Sequence, residues 1–278
     1  MSMIVTRIHT AIILAAALAN GGAHGAPQDV VPLANAHAHN DYLHARPLFD
    51  ALDHGFTSVE ADIFLVDGNL LVGHDRDALK PDRTLESLYL APMAERVHQN
   101  GGHVYAKSSR FFLLIDIKDD PQRTYRELQK LLSKHADMLT SVEANTVRPG
   151  AVTIVLTGNR PQITPSDPHL RYAGLDGRLS DLGSQVPAHV MPMISDNWTK
   201  QFHWNGDGPM SKNERAKLRE IVKRAHDSGR VVRFWATPES ETLWRELRAA
   251  GVDLINTDEL ARLAAFLRAP DEKPQSQQ

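Results

Sequence analysis

The chain has 278 residues, of which 42% are hydrophobic and 23% charged, and its formal net charge is −3. This is the composition of a soluble globular protein, and the length is enough for one large domain or two small ones. The balanced charge excludes the concentrated basic surface of a nucleic-acid-binding protein. The absence of cysteine excludes thiolate metal sites and cysteine nucleophiles, and nothing in the sequence predicts an oligomeric state.

The two ends of the chain differ in composition from the rest. Residues 1–25 run from Arg7 through the apolar stretch "AIILAAALA" to small residues. This is the order of a secretory signal peptide, and the apolar stretch is too short to span a membrane comfortably. We therefore expect an exported protein, periplasmic or secreted, whose domain covers residues 26–268. The polar residues 269–278 are expected to form a disordered tail.

Predicted strands and helices alternate along this domain. In chain order they are strand "VPLANAHA", helix "RPLFDALDHG", strand "FTSVEADIFLV" with its hairpin partner "NLLVGHD", helix "LESLYLAPMAERVHQNGG", strand "RFFLLIDIK", helix "QRTYRELQKLLSKHADML", strand "GAVTIVLTGNRP", the weaker strands "LRYAGLDG" and "AHVMPMISDNW", helix "KNERAKLREIVKRAHDSG", strand "RVVRFWATP", helix "ESETLWRELRAAG", strand "VDLINTD" and helix "ELARLAAFLR". The Asp-Gly pair between "FTSVEADIFLV" and "NLLVGHD" predicts a tight hairpin turn.

Eight strands, most of them followed by helices, predict an α/β fold of the (β/α)8 TIM barrel class. Several strands are continuous apolar runs, as expected for parallel strands covered on both faces. Few helix signals occur between residues 159 and 205, so the barrel is expected to be irregular around strands five and six. The competing open doubly wound sheet is disfavoured because no G-x-G-x-x-G follows the first strand.

Carboxylates are expected at the carboxyl ends of the strands, where a barrel carries its active site. Glu60 and Asp62 lie two residues apart on one strand and therefore share a face. Two carboxylates on an inner face require neutralisation, and Asp116 at the end of strand three is a natural third ligand. Three carboxylates suit Mg2+ or Ca2+ better than zinc. The alternative is an acidic pair that faces solvent on an amphipathic strand.

Histidines and basic residues are predicted at the same carboxyl ends of the strands. His37 and His74 could act as nucleophile and acid, or as base and acid. His39 could orient its neighbour or contact the metal ion. Lys118 and Arg160 would supply positive charge to a phosphate, although a surface salt bridge explains Arg160 equally well. The strand-end positions of His39, Asn40 and Arg160 make them candidate substrate-binding residues.

The order of these motifs resembles the superfamily of glycerophosphodiester phosphodiesterases and phosphatidylinositol-phospholipase-C-like barrels. The resemblance spans nearly the whole predicted domain and is carried by "VEAD", "DGNLLVGHD", "LIDIK", "VVRFWATP" and "GVDLINTD". The segments "AHNDY" and "TGNRP" are similar to the branch of altered inheritance of mitochondria protein 6-like proteins. The resemblance implies a phosphoric diester hydrolase with these roles: a divalent cation held by Glu60, Asp62 and Asp116, a catalytic pair of His37 and His74, Lys118 on the phosphate, and Trp235 and Asn256 shaping the pocket.

The sequence also departs from the family pattern. "HAHNDY" replaces the usual His-Arg-Gly, and the Glu-Asn-Thr segment has no counterpart. The missing segment argues against strict glycerophosphodiester specificity, whereas the residues for phosphodiester chemistry are retained. The expected substrate is a lipid or glycerol phosphodiester, and a lipid substrate would bring transient contact with a membrane surface. The product could form by hydrolysis or as a cyclic phosphate. The position of Asn40 favours His37 over His39 as the catalytic member.

Two other functions are compatible with the sequence. The first is a non-catalytic barrel that binds a phosphate or a lipid headgroup. The second is a metal-dependent hydrolase of the amidohydrolase type, suggested by the H-x-H motif at the first strand. Such a site would require further histidine ligands, whereas strands two to four offer carboxylates, Lys118 and Arg160 instead.

Overall fold

The protein folds as a nearly closed barrel of eight parallel strands surrounded by helices, so the predicted TIM barrel is confirmed. The computed structural model describes residues 30–107, 110–164 and 168–270. The predicted signal peptide, and residues 271–278 of the predicted tail, lie outside the described residues. The strands are β1 (Leu33–Ala38), β2 (Phe56–Val66), β3 (Asn69–Val72), β4 (Phe111–Ile117), β5 (Ser141–Glu143), β6 (Thr146–Arg148), β7 (Val152–Gly158), β8 (Ala173–Gly177), β9 (Met193–Asn197), β10 (Val231–Trp235) and β11 (Ile255–Thr257).

Helices cover the outside of the barrel and connect most of its strands. They are α1 (Phe49–Asp53), α2 (Ala91–Gln99), α3 (Pro121–Ser133), α4 (Trp198–Gln201), α5 (Lys212–Asp227), α6 (Glu241–Ala250) and α7 (Leu260–Arg268). Local sequence explains where the longer ones begin. The Asp120 side chain accepts a hydrogen bond from the Arg123 backbone N–H, and Ser211 does the same for Glu214. Such N-caps satisfy backbone donors that the first turn leaves free.

The strand order around the barrel is β11-β1-β2-β4-β7-β8-β9-β10. Every neighbouring pair on this path is parallel. β10 and β11 then meet through a bridge between Arg233 and Leu254. The pairing of β1 with β2 shifts register between Leu33 and His37, and such an irregularity re-aims the side chains that follow it.

The hairpin of β2 and β3 carries the chain past the barrel rim and back. The strands are antiparallel, and Asp67 and Gly68 between them have φ values of 48° and 81°, as in a type I′ turn. The Gly73 N–H then donates to the Asp62 carbonyl at 3.1 Å. This contact returns the next residue, His74, to the level of Asp62 within β2.

The predicted irregularity around strands five and six is confirmed. β8 is followed by a single 3-10 turn (Leu179–Asp181), and β9 by the four-residue α4. The short strands β5 and β6 were not predicted, because three residues are too few to show alternation. They form a hairpin at the amino end of the barrel, where Leu139 bridges to Val152 and Val142 to Arg171.

The barrel interior is apolar toward the amino ends of its strands and polar toward the carboxyl ends. The apolar layer consists of Phe112, Leu114, Val155, Met193, Val231 and Leu254. Two residues further along, the inward positions of β4 and β10 become Asp116 and Arg233. This plug closes one end of the barrel and leaves the charged residues at the other end, called here the mouth.

Candidate active site

Three carboxylates from two adjacent strands converge at the mouth. Glu60, Asp62 and Asp116 each offer an oxygen, and the three oxygens lie within 4.8 Å of one another. Asp62 and Asp116 are directly opposed in the register of β2 and β4. The predicted spacing on one strand face is therefore realised, and the two strands hold the carboxylates on a rigid part of the fold.

This arrangement fits a hard divalent cation. Oxygens bound to Ca2+ at about 2.4 Å can be at most about 4.8 Å apart, which the three carboxylates satisfy. Asp62 Oδ1 is buried and has no hydrogen-bond partner among the described residues, so it is available as a ligand. Burial, followed by the nearby Asp62 and Glu60 carboxylates, raises the pKa of Asp116 to about 6 despite Lys118. The negative charge of the site is therefore incompletely balanced by the protein itself.

Lys118 lies between two of these carboxylates. Its Nζ is 2.9 Å from Asp62 Oδ2 and 3.2 Å from Asp116 Oδ1. Burial disfavours the charge of this side chain, but the Asp116 and Asp62 carboxylates outweigh that effect and raise the pKa of Lys118. The ammonium group is thus charged, and one of its three N–H donors remains for a ligand at the mouth.

Gly158 leaves room for this cluster at the end of β7. Its φ is +67°, and a Cβ added there would collide with Asp116 Oδ1 and would lie 2.7 Å from the Ile117 carbonyl oxygen. Glycine is therefore required both by the backbone conformation and by the close approach of the carboxylate.

Glu60 lies deepest and is held by two buried donors. The Arg233 guanidinium contacts its Oε2 at 2.5 Å and His37 Nε2 contacts the same oxygen at 3.2 Å. Burial alone would raise the pKa of Glu60, but the Arg233 charge and the His37 hydrogen bond hold it below its usual value. The ionised carboxylate therefore keeps Oε1 for a ligand.

His37 is fully enclosed, with no solvent exposure. Burial, followed by the charge of Arg233, lowers the pKa of His37 to about 3, so the ring is neutral. Because a carboxylate can only accept, Nε2 carries the proton and donates to Glu60, and Nδ1, 2.7 Å from Ser58 Oγ, accepts from that hydroxyl. Both ring nitrogens are thus engaged within the barrel.

His39 lies beyond the end of β1, at the mouth. Its side chain is 28% exposed, and Nδ1 lies 2.8 Å from Asp258 Oδ1. The carboxylate orients the ring with Nδ1 as the donor. Within the part of the chain that the structure describes, no hydrogen bond engages Nε2, so this nitrogen is available as a base. The structure therefore separates the two histidines of the motif.

His74 lies on the other side of the carboxylates. Its side chain is 58% exposed, and Nδ1 is 3.1 Å from Asp62 Oδ2. Tyr42 joins the same group, because its hydroxyl donates to Asp62 Oδ2 at 2.6 Å and lies 3.1 Å from His74 Nδ1. Burial and the Asp62 carboxylate raise the pKa of Tyr42, so this hydroxyl remains protonated.

Asn40 links the Tyr42 group to His39. Its side-chain amide lies 2.8 Å from the Tyr42 hydroxyl and 3.0 Å from His39 Nδ1, and its backbone is left-handed, with φ 48°. Asn40 therefore lies between the His39 ring, which Asp258 orients, and the Tyr42 hydroxyl, which contacts Asp62 and His74.

Three other predicted residues lie apart from this network. Arg160 donates to the Asp176 carbonyl at 2.5 Å, next to β8 rather than beside the triad. Trp235 is the last residue of β10, on the far side of the mouth, and the Arg178 guanidinium lies 4.8 Å from its ring centroid. Asn256 is 6% exposed and accepts a hydrogen bond from Arg233 Nε at 2.9 Å, so it supports the site from below.

Tyr42 and Arg233 belong to the site but were not predicted from the sequence. Tyr42 stands within the motif "AHNDY", but its contact with Asp62 depends on the path of a loop. Arg233 carried a readable signal, because a charged residue inside the apolar strand "RVVRFW", two residues before Trp235, must face a buried partner. The amidohydrolase alternative loses support, since the ligand cluster found among the described residues contains no histidine.

Comparisons with known proteins agree with this geometry. The model of the AIM6-like phosphodiesterase domain matches residues 25–167, and that of the glycerophosphoryl diester phosphodiesterase family matches residues 231–261. "Altered inheritance of mitochondria protein 6 homolog" of Arthroderma benhamiae is 29% identical over 264 residues, covering 83% of this chain and 82% of that protein. "Altered inheritance of mitochondria protein 6" of Eremothecium gossypii is 31% identical over 284 residues, covering 86% and 71%.

A solved structure shares the fold. It is a calcium-dependent phosphoinositol-specific phospholipase C from a Pseudomonas species, with a TM-score of 0.58 and 12% sequence identity. The similarity covers 84% of this chain and 93% of that one. At this identity the likeness concerns the barrel itself.

The relatives correct the prediction of location. They are fungal proteins named for altered inheritance of mitochondria, so their setting is a eukaryotic cell and not a bacterial periplasm. The expected exported, periplasmic or secreted location is therefore wrong. A short apolar run followed by small residues is a feature of composition and does not by itself specify a compartment. Among the described residues, no helix has the length and apolar character needed to cross a membrane.

Proposed function

This chain belongs to the family of AIM6-like phosphodiesterase domains, and on that premise we propose that it cleaves phosphodiesters beside a divalent cation at the barrel mouth. The observation that carries the proposal is the carboxylate triad, in which Glu60 and Asp62 are buried and Asp62 Oδ1 has no hydrogen-bond partner among the described residues. Glu60, Asp62 and Asp116 would hold Mg2+ or Ca2+, which when bound polarises a phosphoryl oxygen and offsets the charge that develops on it.

His39 and His74 are the proposed acid and base. Each has one ring nitrogen oriented by a carboxylate and the other directed away from it without a partner among the described residues. One ring takes the proton of the attacking hydroxyl or water, and the other gives a proton to the leaving alcohol. His37 lacks a free nitrogen, so we assign it the role of holding Glu60 instead of the catalytic role that its position in the motif suggested.

Lys118 and the far side of the mouth would bind the substrate. The free N–H of Lys118 would donate to a non-bridging phosphoryl oxygen as negative charge grows there. Across the mouth, the guanidinium of Arg178 covers one face of Trp235 and is anchored by the buried Asp176 at 2.9 Å. A choline group stacked on that indole face would meet a fixed positive charge, so we propose neutral or anionic alcohols as the groups accepted.

The test is a panel of phosphodiesters assayed with chelator, Mg2+ or Ca2+. It comprises glycerophosphoglycerol, glycerophosphocholine, a lysophospholipid, sphingomyelin and phosphatidylinositol. We expect cation-dependent cleavage that falls about 10²- to 10⁴-fold in His39→Ala and in His74→Ala, as for loss of a general acid or base. His37→Gln should lose less activity than either variant. Binding of these compounds without any turnover would support the non-catalytic alternative.

A further inference from the structure

The barrel is least continuous between β10 and β11, a contact that we call the seam. β10 shares a five-residue register with β9 on its other side, from Val231–Met193 to Trp235–Asn197. At the seam the described backbone contacts are the Arg233–Leu254 bridge and bonds from Asp253 and Leu254 to Val232. Beyond that level, toward the mouth, the described residues form no ladder between the two strands.

One side chain spans the seam at the level of the carboxylates. Arg233 donates through Nη2 to Glu60 Oε2 on β2 and through Nε to Asn256 Oδ1 on β11, the latter at 2.9 Å. All three side chains are buried, and Arg233 itself is 2% exposed. Because the guanidinium is planar and rigid, the position of Glu60 is tied to the position of β11.

The same contact determines which oxygen of Glu60 can meet a cation. Oε2 receives both Arg233 and His37, so Oε1 is the oxygen left for a ligand. Without Arg233 the buried carboxylate would be uncompensated, and an uncompensated buried charge is strongly unfavourable. The carboxylate would then be expected to rotate away from the orientation that Arg233 holds, and this change removes it as an oriented ligand.

We propose that Arg233 is a positioning residue that couples occupancy of the cation site to closure of the seam. This inference rests on the cation of the proposed function and extends it to the barrel as a whole. A cation on Glu60 favours the orientation that Arg233 holds, and Arg233 in turn holds Asn256. Coupling of this kind is reciprocal: cation binding tightens the seam, and a loosened seam weakens cation binding.

The experiment compares variants of the full chain after treatment with chelator. Calorimetric titration with MgCl2 and CaCl2 gives cation affinity, and hydrogen exchange of peptides covering residues 252–258 gives the state of the seam. Arg233→Met removes the contact, and Arg233→Lys keeps the charge but replaces the forked guanidinium with a single ammonium group. Arg230→Met is the control, because Arg230 is also 2% exposed but donates to the Asp181 and Val186 carbonyl oxygens.

In the wild type, the cation should slow exchange in the peptides of β11. Arg233→Met should weaken cation binding about 10- to 100-fold, as for other residues that orient a metal ligand, and should lose that protection. Arg233→Lys should keep more of the affinity but still lose the protection, since one ammonium group cannot bridge Glu60 and Asn256. Arg230→Met should retain both properties. Because the lysine variant keeps the buried charge, it tests the coupling between the cation and the seam even if Arg233→Met does not fold.

Cation-induced protection of β11 that persists in Arg233→Lys would overturn the inference, as would equal losses in Arg230→Met. A wild type that binds the cation without any change at the seam would overturn the inference alone. A wild type that binds neither Mg2+ nor Ca2+ would overturn the cation site of the proposed function as well.

Discussion

The loop that carries His39 and Tyr42 is anchored by a buried acid whose charge should control stability. Asp41 has no solvent exposure. Its Oδ2 accepts from the Leu48 backbone N–H at 2.6 Å and from the Tyr89 hydroxyl at 2.9 Å, whereas its Oδ1 is buried without a partner among the described residues. Burial outweighs those two hydrogen bonds and raises the pKa of Asp41 from 3.8 to about 6.

The sign and size of the effect follow from linkage. Between pH 4 and pH 6 the folded protein keeps a proton on Asp41 that the unfolded chain has released, so the free energy of unfolding falls as pH rises through this window. At 1.36 kcal/mol per pKa unit, the rise from 3.8 corresponds to about 3 kcal/mol of lost stability above the folded-state pKa. Asp41→Asn removes the ionisation and keeps an oxygen as acceptor.

The assay is urea denaturation of the wild type and Asp41→Asn at pH 4 to pH 8. The stability of Asp41→Asn minus that of the wild type should rise by about 3 kcal/mol across the window. Asp50, in the helix α1 that follows this loop, provides a control of opposite sign: burial opposes its ionisation, but the Arg46 backbone N–H and guanidinium lower its pKa. Because the pKa of Asp50 is lowered from 3.8, the stability that its carboxylate contributes develops below about pH 4, so Asp50→Asn should be less stable than the wild type by a nearly constant amount from pH 5 to pH 8. A flat difference for Asp41→Asn, or one that falls with pH, would refute the reasoning.

Three further substitutions test the site itself. Tyr42→Phe removes the hydroxyl that donates to Asp62 and should reduce cation affinity about 10-fold or more by calorimetry, as for other outer contacts of a ligand; unchanged affinity would contradict this role. Gly158→Ala forces a Cβ against Asp116 and should abolish cation binding while circular dichroism remains that of a folded barrel. Lys118→Met removes a positive charge from between two carboxylates, so cation affinity should hold or increase. Its rate of phosphodiester cleavage should nevertheless fall about 100-fold or more, and an unchanged rate would exclude Lys118 from the phosphate.

Most of the barrel could be predicted because parallel strands buried on both faces appear as apolar runs. β4, "FFLLIDI", is buried from Phe111 to Ile115, and its first polar residue, Asp116, marks the mouth. The hairpin of β5 and β6 could not be predicted in the same way, since it is too short for a pattern and is held in place by the Val142–Arg171 bridge and by the Leu139–Val152 bridge just before it.

The carboxylate triad could be predicted because it depends on strand geometry alone. Residues that lie two apart on one strand share a face, and the register of neighbouring strands brings Asp116 opposite Asp62. The different positions of His37 and His39, one buried and one at the mouth, could not be predicted in this way. They depend on where β1 ends and on its irregular pairing with β2, which turns His37 into the barrel and leaves His39 at the rim.

The most direct test of the proposed chemistry is the rate of phosphodiester cleavage as a function of free cation. The chelator-treated full chain is titrated with Mg2+ and with Ca2+ in the presence of glycerophosphoglycerol, with Glu60→Gln and Asp62→Asn as matched variants. The rate should be negligible in chelator, should increase saturably with one of the two cations, and should require far more cation in both variants. Equal cleavage with chelator and with cation, or wild-type cation dependence in Asp62→Asn, would contradict the assignment of these carboxylates.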